Sequence, residues 1–165
     1  MTKILIKHIL FLCSLMIALT SCNPDNFENP DPGIVYFMVS EYPTVNKGDS
    51  YILPLSDPAE IQTAREIIAN PQDHLDRIVV AKIERQPDNL LIKNKDLLQN
   101  ITWSWRIIEF QGFAGSTIEI IDGSPTIVEE NIGFWFQNTA NSNDFGSIGF
   151  WGYTVKKEVQ PNELK

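Results

Sequence analysis

The chain has 165 residues, 43% of them hydrophobic and 21% charged, with a formal net charge of −8 at pH 7. That length fits one domain with a real core to bury. The acidic balance excludes nucleic acid and anionic lipid head groups as electrostatic partners, because like charges repel.

Residues 1–8 carry Lys3 and Lys7 and no acid, and residues 9–19 are almost wholly apolar. This is the positive n-region and apolar h-region of a secretory signal. It is too short to span a bilayer comfortably, which takes roughly 20 apolar residues. Leu19, Thr20, Ser21 and Cys22 follow, and they resemble a bacterial lipobox. In such signals the Cys thiol receives a diacylglycerol, the chain is cut before it, and the new amine is acylated. An ordinary signal cut or an uncleaved anchor are the alternatives. The ordinary cut leaves Cys22 as a lone thiol in an oxidising compartment. Lipidation at Cys22 is therefore expected, with 1–21 as a lipoprotein signal peptide. Acyl chains, at roughly 0.8 kcal/mol per buried methylene, then make the membrane a partner. The expected location is the cell envelope at the outer membrane, on its periplasmic or surface face. Cys13 leaves with the signal and Cys22 is acylated, so no thiol remains for a disulfide, a zinc site or a nucleophile.

Residues 22–33 hold three Pro and three Asn and read as an extended tether. A single domain is expected over 34–159, with 160–165 as a C-terminal tail. IVYFMVS (34–40) and SYILPL (50–55), joined by a Gly-containing turn at 45–48, read as a hairpin. SDPAEIQTAREIIANP predicts a helix over 57–69. Asp57 caps it, Pro58 suits its first turn, and Glu60 is placed for a capping box. Ile61, Ala64, Ile67 and Ile68 form its apolar stripe, and Asn70 before Pro71 ends it. RIVVAKIER (77–85) reads as a strand, QPDN (86–89) as a turn and LLIKNKDLLQN (90–100) as a loop with a short turn. TWSWRII (102–108) alternates as a strand, which two glycines in EFQGFAG (109–115) should break. TIEIID (117–122) is a further strand. Ser124 and Pro125 open a short helix over 125–130. Two aromatic-rich pieces then flank an Asn-rich loop, the second ending as a strand near 153–159. The fold class is α+β: a mainly antiparallel sheet of about five to six strands with one packed helix (57–69) and a short second helix (125–130).

Catalytic chemistry finds little material. His74 is the only histidine after the signal and lies in a polar turn, PQDHLD. Cys–His chemistry and a multi-histidine zinc centre are excluded within one chain, and a Ser–His–Asp triad would lack a GxSxG elbow. Paired carboxylates remain open, with Glu109, Glu119, Asp122, Glu129 and Glu130 as candidates. The loop NTANSNDFG (138–146) has calcium-type oxygen ligands, but Gly152 stands where the twelfth-position acid belongs. No metal and no cofactor are expected. The four tryptophans carry two readings. Trp103 and Trp105 share a strand parity, while Trp135 and Trp151 lie in the two tail pieces. They either pack in the core and at its edges or form an exposed aromatic platform for a protein or glycan ligand.

The stretches LSDPAEIQTAREIIAN, RIVVAKIER, NITWSWRI and IEIIDGSPTIVEENI, with a Trp-containing tail ending VKKEV, resemble the N-terminal domain of the calmodulin-binding protein family first named in slime moulds. That domain also occurs in secreted bacterial proteins. The resemblance covers roughly residues 34–159 and implies fold and secretion. It implies neither calmodulin binding nor any catalytic residue. Ile121 stands where members carry a Cys, and no Cys lies near the tail tryptophan, so any family disulfide is missing. The expected function is a lipid-anchored extracytoplasmic binding or interaction module without catalytic activity. A small carboxylate-dependent hydrolase and a secreted enzyme inhibitor are the alternatives.

Overall fold

A computed structural model describes residues 33–43, 48–116, 123–137 and 146–165. Its elements in chain order are β1 (Val35–Glu41), β2 (Ser50–Leu55), α1 (Pro58–Ala69), β3 (Ile78–Arg85), β4 (Lys95–Asp96), β5 (Ile101–Thr102), β6 (Trp105–Ala114), α2 (Pro125–Glu130), α3 (Ile132–Gln137), β7 (Ser147–Ile148), β8 (Tyr153–Val159) and a 3-10 turn at Pro161–Leu164. The class is α+β with antiparallel pairing and one main helix. The strands do not form the expected single sheet of five to six. Among the described residues they form a β2-β1-β8 sheet, a β6-β3-β7 sheet and a two-stranded β4-β5 ribbon.

The division has a physical origin in β1 and β2, which are apolar at both parities. Phe37, Val39, Tyr51 and Leu53 face the main core, which also holds Val79, Ala81 and Ile83 of β3. Tyr36, Met38 and Ile52 face the other way, into a second cluster with Val159 and Leu164. A sheet buried on both faces needs two covers. The second sheet and α1 cover one face. The other is covered by Ile92, Leu97 and Leu98, from a segment whose sequence reads as a loop, and by Leu164, which is fully buried in the 160–165 tail.

The main helix forms as its caps dictate. The Asp57 carboxylate accepts from the Ala59 and Glu60 backbone N–H groups at 2.8 and 3.2 Å, Pro58 opens the first turn and Asn70 closes the last. Partial desolvation and then the Asp57 charge hold the Glu60 carboxyl above its usual range. Ile61, Ala64 and Ile67 are buried, each isoleucine contributing roughly 1.5–3 kcal/mol. Arg65 reaches Glu158 of β8 at 3.0 Å.

Strand β6 runs through the glycines instead of breaking at them. Its pairing with β3 slips between Val80 and Ala81 and again between Lys82 and Ile83. These bulges absorb the extra residues, and Gly112 takes φ +139°. Its outer face pairs Lys82 with Glu109 at 3.0 Å and Glu84 with Arg106 at 2.7 Å. Helix α2 begins at its Ser124 cap. Helix α3 has no counterpart in the sequence expectations: Asn131 closes α2 and its carbonyl accepts from the Phe134 N–H at 2.8 Å, restarting the helix. The strand expected at 117–122 lies outside the described residues, as do residues 138–145 of the calcium-like loop and Cys22.

Candidate functional site

The tryptophans separate into two groups. Trp103 and Trp105 do share a face, but it is an interior one: they are 4% and 0% exposed. Their rings stack with centroids 6.2 Å apart. The Trp103 indole N–H donates to the Ser50 carbonyl at 2.8 Å, so its one polar group is satisfied inside the protein. They are core residues and not part of an exposed platform. Trp135 packs against the same core, its ring 3.0 Å from where a Cβ on Gly146 would stand. Trp151 alone of the four is half exposed, at 50%.

The described candidate acids are engaged with the chain's own groups or face solvent. Glu129 accepts from the Ser104 backbone N–H and hydroxyl at 2.9 and 3.0 Å, tying α2 to the start of β6. Glu109 pairs with Lys82 and Glu130 is exposed. Glu119 and Asp122 lie outside the described residues. His74 is half-buried. Among the described residues no three His, Cys, Asp or Glu side chains group as metal ligands would.

Two buried polar clusters escaped the sequence reading. In one, Asp96 is fully buried; its Oδ1 accepts from the Ser50 N–H, the Ser50 hydroxyl and the Leu98 and Gln99 N–H groups. The Asn94 Oδ1 accepts from the Ile52 N–H at 2.8 Å. Together with Pro54, which has no N–H, these side chains leave the outer edge of β2 without a free donor at positions 50, 52 and 54. That shields the edge from further pairing. The available signal was the i, i+2 spacing of Asn94 and Asp96 inside an apolar run. In the second cluster, the Tyr153 hydroxyl donates to Asp49. The other Asp49 oxygen accepts from the Thr126 N–H at 2.7 Å. Burial first, then the hydrogen bond and charge of Asp49, push the Tyr153 phenol well above its usual range.

Beside the blocked edge lies an open groove of about 540 Å³. Tyr36 and Ile52 contribute from the first sheet, Leu91 and Ile92 from the covering segment, and Ile107 and Ile108 from β6. Ile108 is 40% exposed there, because the bulge turns it out of the main core. The charged residues lining the groove are Lys93 and Arg106. Lys93 donates to the Asp88 carbonyl at 2.7 Å and keeps its charge, whereas Arg106 is neutralised by Glu84. The arrangement can hold an apolar group and an acidic one beside it.

A family model for the N-terminal domain of the slime-mould-type calmodulin-binding protein matches residues 34–162. A search of curated proteins and a search of solved structures each found no match.

Proposed function

The chain belongs to the family of that calmodulin-binding-protein N-terminal domain, and from that premise we propose that it is a lipid-anchored, extracytoplasmic binding module without catalytic activity. Acyl chains on Cys22 hold it on the outer membrane, and the tether of residues 23–33 spaces the domain from the lipid. Its ligand is a protein that lays an extended segment with apolar side chains into the groove. The observation that carries this reading is the groove itself: apolar side chains from three parts of the chain converge there, with Lys93 at hand for an acidic residue. Binding pockets combine such an apolar lining with a few polar groups that fix orientation.

The test uses the full chain on peptide and glycan arrays. Peptides with apolar and acidic residues should bind wild type, and Ile108→Asp should abolish that binding, since Ile108 is exposed and its substitution leaves the core intact. Trp151→Ala should retain it. Equal peptide binding by wild type and Ile108→Asp would overturn the groove assignment. Membrane attachment is read separately: Cys22→Ser should move the protein from the membrane fraction to the soluble one.

A further inference from the structure

Tyr42 follows β1, and its backbone N–H donates to the Gly152 carbonyl at 2.6 Å. This bond ties the end of β1 to the turn that carries the half-exposed Trp151. The Tyr42 ring has two cations on it: the Arg77 guanidinium and the Lys156 ammonium each lie 4.5 Å from its centre. They arrive from different parts of the fold, Arg77 just before β3 and Lys156 within β8. Each gains from the ring's π-face, but the two charges repel one another. Neither forms an ion pair among the described residues, and Arg77 donates only to a carbonyl, that of Pro71, at 2.7 Å. The neighbouring acids turn elsewhere, Glu41 toward Gly48 and Asp76 toward Gly115. Burial, and then the charge of Arg77, hold the Lys156 ammonium below its usual range. On a chain of net charge −8, this is a local reversal of sign without a counter-ion from the described acids.

We infer that Tyr42, Arg77, Lys156 and Trp151 form a second binding site, for an acidic carbohydrate. An anion at the two cations relieves their repulsion and makes charge-assisted hydrogen bonds. The aromatic rings beside them offer flat apolar faces to the C–H groups of a sugar ring. A uronic acid or a sulfated sugar supplies both features in one residue. This site is separate from the groove and does not depend on it.

Calorimetry on the full chain tests the assignment, with oligogalacturonate as the probe, its methyl ester as the neutral control and polyglutamate as the acidic peptide. Oligogalacturonate should bind, more weakly as salt is raised. Lys156→Gln should weaken it about tenfold, the loss expected for one charge-assisted contact. Trp151→Ala should also weaken it, and Ile108→Asp should have no effect. A heparin-derived oligosaccharide separates sulfate from carboxylate preference. Equal binding of the methyl ester, or unchanged affinity in Lys156→Gln, would overturn the site. Polyglutamate binding as tightly as oligogalacturonate would overturn its assignment to carbohydrate.

Discussion

Asn94 hydrogen-bonds to Ile52 across 42 residues of sequence, its side-chain oxygen accepting from the Ile52 backbone N–H at 2.8 Å. Its amide nitrogen donates to the Trp105 carbonyl at 2.9 Å. One side chain thus bridges the edge of β2 to the first residue of β6, joining the two larger sheets where no backbone ladder connects them. Asn94→Ala should leave both backbone groups buried and unsatisfied, at about 1–3 kcal/mol each. The urea midpoint should fall with the slope unchanged. An unaltered midpoint would show that water replaces the side chain at no cost.

Tyr153 sets an alkaline limit on stability. Its phenol is held above its usual range in the fold, so the unfolded chain releases that proton first, near pH 10. The contribution is complete below about pH 10 and declines as pH rises beyond it, by up to about 1.4 kcal/mol per pH unit. Tyr153→Phe lacks this proton and also loses the hydrogen bond to Asp49. It should be less stable at pH 7 and lose less stability between pH 9 and 11. Denaturant midpoints across that range check it; parallel curves for the two proteins would contradict it.

Tryptophan fluorescence should divide as burial does. Trp103 and Trp105 are enclosed and Trp151 is half exposed, so Trp151→Phe should lower the acrylamide quenching slope and shift the remaining emission to the blue. A slope that stays the same would place the accessible indole elsewhere.

Gly112 has φ +139°, and an added Cβ would meet nothing within 4 Å. Gly112→Ala therefore isolates backbone strain from crowding. A loss of about 1–3 kcal/mol in thermal or chemical unfolding is expected; a neutral result would mean that the β6 bulge relaxes to another geometry.

How far the sequence could be read depended on the range of the interactions. The α1 helix was legible because its determinants lie within 14 residues: Asp57, Pro58, the isoleucine stripe and Asn70. The β1–β2 hairpin was legible for the same reason. The interior position of Trp103 and Trp105 was not, since strand parity says that two residues share a face and not which face is covered. Nor was the cover over the second face, because residues 90–98 and Leu164 carry no regular period and are fixed by what they pack against. The groove and the cations at Tyr42 are likewise assembled from segments distant in sequence.

Local propensity and short ordered patterns were therefore enough for the α+β class, the main helix with its caps, the antiparallel hairpin and the family resemblance. Contacts between distant segments were needed to divide the strands into separate sheets, to put two tryptophans in the core and one at the surface, and to set Asn94 and Asp96 against an open edge. Burial and hydrogen-bond pairing of that kind depend on which surfaces meet, and no local pattern carries that information.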